Sequence, residues 1–293
     1  MTTLKGRLVA LSVSDAPDRA RLGLPAREVD RALFSICTVL VRAGAKIVYA
    51  GNLDPNGLTF GIFRHLTGAY SAASEAPFIH IVPEPILRGA SFDELNYALR
   101  EGAAVVQTLV HFENTLLPVR AVADGLRIGE GKSRIRLADD GQFASWLSAG
   151  KAADSVTAYS SARKAVTKVC DARIILGGKM GLLDHPQDAY LGAMPGIVEE
   201  AIYALEAGLP CVPLGAFGGA ARDVAIALDL LAPSQRVPRG EQLPTYDASL
   251  KRVGDLCDCI PGSLRPALAA LADDDRGEPM AYDIARVLVE WLS

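Results

Sequence analysis

The feature that most limits how this chain can fold is an alternation of short apolar runs with amphipathic stretches over most of its length. "GRLVALSVS", "AKIVYAGN", "FIHIV", "AAVVQTLV", "RIILGG" and "PCVPLG" are apolar runs bounded by Gly, Pro or polar residues, the signature of strands buried on both faces. Between them, "AREVDRALFSICTVLVRAG" places Val29, Leu33, Ile36, Leu40 and Val41 on one stripe and stops at Gly44, as a helix would. "TFGIFRHLTGAYSAA", "SFDELNYALREG", "DSVTAYSSARKAVTKVCDA", "PGIVEEAIYALEAG" and "AARDVAIALDLL" read as further helices. The alternation predicts an α/β fold: a Rossmann-like, doubly wound, mainly parallel sheet with helices on both faces. Residues 112–150 are the least legible, with "RIRLAD" a candidate strand. From about residue 231 the chain turns Pro-rich and then helical, so the expected organisation is one domain over 1–230 with a C-terminal helical extension, 231–293, packed on it.

Composition excludes several classes. The chain has 293 residues, 50% hydrophobic and 22% charged, with a net charge of −4. That balance is globular and contains no long basic run, which argues against a broad nucleic-acid footprint. No apolar stretch reaches about 18 residues and the N-terminus lacks a convincing signal peptide, so a cytoplasmic protein is expected. Of the five cysteines, Cys37, Cys170 and Cys211 lie in apolar runs and read as buried thiols. Cys257 and Cys259 form the only close pair and lack the second pair that a zinc site needs. No metal and no required cofactor are expected.

Right-handed crossovers bring the C-terminal ends of parallel strands to one edge, where helix N-termini offer unpaired N–H groups. Glycine or serine loops fall on that edge after Leu11, Ala50 and Leu176, and "GAFGGAAR" follows Leu214. Gly177 and Gly178 suit either close approach to a phosphate or a plain tight turn. "GGKMG" has neither dinucleotide-fingerprint spacing nor a following P-loop lysine. In "AMPGIVEEA", Pro195 and Gly196 open a helix, with Glu199 and Glu200 in or just past its first turn. Adjacent residues diverge by about 100° on a helix, so only one of these acids can face a given ligand. The other reading is capping electrostatics. Arg163, near the start of the helix that precedes "RIILGG", is placed by topology near the same edge. Phe217 is either a base-stacking ring or a core plug, and Arg222 is a phosphate candidate. Asn52 and Thr59 read equally as ligand contacts or as turn and cap residues.

Together, "ARKAVTKVCDARIILGG" followed by "PGIVEEA" resembles the lysine-decarboxylase-like LOG family, and "VYAGN" and "ALSVSD" resemble its second-strand and first-strand signatures. "LSVSDAPDRARLGLP", "VYAGNLDPNGLT", "ILGGKMG", "MPGIVEEAIYALEAGLP" and "LGAFGGAARD" look closer still to the SLOG branch of that superfamily, over about residues 5–230. The resemblance implies a sensor for a nucleotide-derived ligand such as an NAD- or ADP-ribose-like signal. It further implies bacterial anti-phage defence, homo-oligomerisation and a TIR-domain or other effector partner. It implies Ser12, Ser14, Gly51, Asn52, Gly177, Gly178, Gly196, Gly218 and Gly219 as ligand-lining residues. The enzymatic alternative is hydrolysis of a nucleotide N-glycosidic bond, with Arg163 and Glu200 in the places of the hydrolases' key Arg and Glu. The hydrolases' compact proline-glycine-glycine motif is split here by "KMGLLDHPQDAYLGAM". Leu176 also stands where the family has proline, and Ile197 where it has threonine.

Overall fold

A computed structural model describes residues 3–70 and 75–293. In chain order the elements are β1 (Leu8–Ser14), α1 (Ala26–Arg42), β2 (Lys46–Ala50), α2 (Leu58–Tyr70), β3 (Phe78–Val82), α3 (Glu84–Gly89), α4 (Phe92–Glu101) and β4 (Val106–Phe112). There follow β5 (Thr115–Val122), β6 (Gly125–Ile128), β7 (Ile135–Leu137), α5 (Asp140–Ala149), α6 (Ser155–Val169), β8 (Ala172–Gly177), α7 (Gly196–Glu206) and β9 (Cys211–Leu214). The chain ends with α8 (Gly219–Ala227), α9 (Pro244–Gly254), α10 (Arg265–Ala272) and α11 (Glu278–Trp291). The apolar runs are strands and the striped segments are helices. The helix expected over 59–73 forms as α2, and Ser71–Ala73 lie outside the described residues. The fold is α/β and Rossmann-like, and it divides into two compact units, Met1–Ala45 with Val169–Ser293 and Lys46–Lys168.

In the first unit β1, β8 and β9 run parallel. Ser14 stands opposite Gly177 and Leu176 opposite Leu214, so the three strands end together. Helix α7 packs on β1 and β8, α8 on β8 and β9, and α1 against α11. The extension beyond residue 230 lies inside this unit. Helix α9 sits on α7 and α8, and the buried Asp223 of α8 anchors it. Asp223 accepts the Tyr246 hydroxyl at 2.6 Å and pairs with Arg239 at 2.5 Å.

In the second unit β2, β3 and β4 are parallel. Helix α4 opens with a capping box in which the Ser91 hydroxyl accepts the Glu94 N–H and the Glu94 carboxylate accepts the Ser91 N–H. In the next stretch the candidate strand "RIRLAD" forms as β7. The stretch is an antiparallel meander, with β5, β6 and β7 added in order beyond β4. The hairpin from β4 to β5 turns at Glu113 and Asn114, both left-handed with φ of 48° and 62°. That is the backbone a two-residue turn needs, built without glycine. Among the described residues no helix is long and apolar enough to cross a membrane.

Candidate ligand-binding site

The loops after β1, β8 and β9 meet backbone to backbone. The Gly178 N–H donates to the Ser14 carbonyl at 3.1 Å, and the Ala220 N–H to the Gly178 carbonyl at 3.1 Å. A Cβ on Gly177 would lie 2.2 Å from the Ser14 carbonyl oxygen, and one on Gly219 2.5 Å from that of Gly178. Both residues have positive φ. Only glycine fits either place, on sterics and on backbone conformation alike.

N–H groups at two places on this edge already bond carboxylates of the chain. Gly219, first residue of α8, donates to Asp18 at 2.7 Å. Burial lifts the Asp18 carboxyl above its ordinary value, against the opposing pull of that N–H. Asp188 is likewise buried, and it accepts the Met180 N–H at 3.1 Å and the Leu182 N–H at 2.8 Å, just past the Gly177–Gly178 turn. Helix α7 differs. Its N-cap is Pro195, whose side chain has no acceptor atom to offer Gly196, Ile197 and Val198.

The two acids of α7 diverge, as their spacing requires. Glu199 turns into the protein, 2% exposed, and accepts the Tyr203 hydroxyl at 2.7 Å. Glu200, its side chain 13% exposed, forms an ion pair at 3.1 Å with Arg173 of β8. The Arg173 guanidinium, 2% exposed, also donates to the Ser12 hydroxyl at 2.6 Å. Sequence reasoning missed Arg173. The available signal was an arginine inside the otherwise apolar run "ARIILGG", which a buried strand keeps only with a partner. Asp18 and Asp188 were also missed, each being one acid in a polar loop.

The other expected site residues divide between core and surface. Phe217 is fully buried, in the place of a core plug. Arg222 is buried with Nε donating to the Gln235 carbonyl at 2.7 Å and Nη1 to that of Gly215 at 3.0 Å. Gly218, Pro195 and Gly196 occupy the helix entries described above. Gly51, Asn52, Thr59 and Arg163 belong to the second unit. There, Thr59 is buried and its Oγ1 would lie 2.4 Å from a Cβ on Gly51. Asn52 accepts the Asp54 N–H at 3.3 Å as a turn residue, and Arg163 stacks over the Tyr159 ring at 5.6 Å. Cys37, Cys170 and Cys211 are buried, and burial pushes each thiol up to about 12. They are therefore protonated and unreactive at neutral pH. Among the described residues no group of three or more His, Cys, Asp or Glu side chains is placed to hold a metal ion.

Parallel strands ending in interlocked glycine turns, with helix N-termini beside them, define a Rossmann-like α/β protein. The sequence matches the family model described as SLOG cluster2 over residues 3–251, and the chain belongs to that family. The match runs past residue 230 and takes in most of α9. Nothing matches it among the curated proteins or the solved structures.

Proposed function

We propose that this chain is a sensor that binds a nucleotide-derived ligand without turning it over and couples binding to self-association or to an effector. The carrying observation is the first unit's edge. There the glycine turns after β8 and β9 leave no room for side chains beside the N-terminus of α7, which has no side-chain cap. A phosphate of an NAD- or ADP-ribose-like ligand is suited to such an N-terminus, which supplies backbone donors and a favourable dipole. Binding is favoured over hydrolysis because the acid that a hydrolase would use, Glu200, is held by a buried arginine. In addition, Asp188 of the insert fills N–H groups just past the Gly177–Gly178 turn.

The test is ultrafiltration with mass-spectrometric readout. Concentrated protein is mixed with AMP, NAD, ADP-ribose, cyclic ADP-ribose isomers and cytokinin-like nucleotides. One compound retained intact is the expected result. Release of free base and sugar phosphate into the filtrate would replace this reading with N-glycosidic hydrolysis.

A further inference from the structure

The antiparallel meander of the second unit carries arginines in a row. Arg120 of β5 stands directly opposite Arg127 of β6, and Arg127 directly opposite Arg136 of β7. Directly opposed residues share a face of the sheet, with strands about 4.8 Å apart. Like charges so placed work against the sheet. Arg136 is offset by an ion pair with Asp124. Arg120, Arg127 and Arg134 form no ion pair among the described residues, and all three line one cavity of about 190 Å³. Its remaining wall is Pro118, the turn Gly129–Gly131 and one acid, Glu130. Three guanidiniums against one carboxylate leave the cavity positively charged, in a protein whose net charge is −4.

We infer that this cavity is an anion site for a diphosphate or similar small phosphate group, separate from the first unit's glycine turns. Guanidinium forks bind phosphate oxygens in pairs, and three of them match the spread charge of linked phosphates better than a single carboxylate. Size sets the class of ligand. A volume of about 190 Å³ lies below the roughly 300–1,000 Å³ of pockets that enclose whole drug-sized molecules. The site therefore takes the phosphate part of a ligand. The arginine row is three strands wide on an otherwise acidic protein, which favours a small phosphate over a nucleic-acid backbone.

The experiment is calorimetric titration of the full chain with inorganic pyrophosphate, on wild type, Arg127→Gln, Arg120→Gln and a control in the first unit, Arg286→Gln. The expected result is saturable binding whose Kd rises at least tenfold in Arg127→Gln and Arg120→Gln and stays at the wild-type value in the control. The melting temperature of the ligand-free Arg127→Gln protein should equal or exceed that of wild type, because a like-charge pair is relieved. A purely structural arginine would give a lower one. Absence of binding, or a Kd that Arg127→Gln leaves unchanged, overturns the assignment. So does a single-stranded oligonucleotide that binds through these arginines while pyrophosphate fails to compete. Because Arg120 and Arg127 belong to the second unit, retention of nucleotide by the first unit is scored separately, and either reading can fail alone.

Discussion

Glu200 shows how a residue singled out for chemistry can also carry structure. Its carboxylate neutralises Arg173, which is buried in the middle of the first unit's strands and tied to Ser12. Deleting one member of a buried pair strands the other charge, at a cost of about 3–5 kcal/mol, whereas replacing both with apolar groups of similar volume is often neutral. Glu200→Ala is therefore expected to lower unfolding free energy by about that amount. Arg173→Met combined with Glu200→Leu should recover much of the loss. Urea denaturation of the two singles and the double measures this directly. A Glu200→Ala penalty under about 1 kcal/mol would mean that the pair does not hold the strand, and would return Glu200 to a purely ligand-facing role. Loss of ligand binding in Glu200→Ala identifies a contact only once this penalty is known. Glu200→Gln, which keeps an acceptor for Arg173, is the cleaner probe.

At the scale of elements, what could be read depended on whether burial wrote a pattern. The strands β1, β2, β3, β4 and β8 and the helices α1, α4, α6, α7 and α8 were legible because each buries a continuous run or a clean stripe. Of the meander only β7 was marked, by "RIRLAD"; β5 and β6 were not. Its strands are partly exposed, Pro118 interrupts β5, arginines alternate with apolar residues, and the Glu113–Asn114 turn lacks the usual glycine. The insert over 179–194 was seen as an interruption, but its fold depends on contacts far along the chain. Leu182 bridges to Gln242, and the Leu183 N–H donates to the Glu241 carbonyl at 2.9 Å. Asp188 is its centre. Asp188→Ala should leave the Met180 and Leu182 amides buried without an acceptor. The expected cost is about 1–3 kcal/mol, with faster hydrogen exchange at those two amides and unchanged exchange in α11. Retained protection at Met180 and Leu182 would show that the Asp188 carboxylate is not what orders the insert.

For the molecule as a whole, two buried histidines, His80 and His111, link stability to pH, since burial lowers the pKa of both. His80 of β3 is fully buried, with its Nε2 3.3 Å from the Gly51 carbonyl and its ring edge-on to Phe63. The contact suits the neutral tautomer that donates from Nε2. Burial lowers its pKa from 6.5 to about 4, only partly opposed by the Gly51 contact. The folded protein therefore refuses a proton that the unfolded chain accepts below about pH 6.5. The stabilisation is complete above that value and is lost as the pH falls through the window down to about 4. At 1.36 kcal/mol per pH unit, the loss is about 3 kcal/mol, a large share of the 5–15 kcal/mol that holds a typical domain folded. Carboxylates such as Asp274, held below their ordinary value by Arg276, weaken the fold at lower pH still, so the share of His80 has to be isolated. His80→Gln does this, since an amide can donate to the Gly51 carbonyl but does not titrate. Urea midpoints at pH 7, 5.5 and 4 should fall more steeply for wild type than for His80→Gln, and the two curves should diverge only below about pH 6.5. Parallel curves would mean that His80 takes up its proton in the folded state, and that the loop after β2 is open enough to water to let it do so.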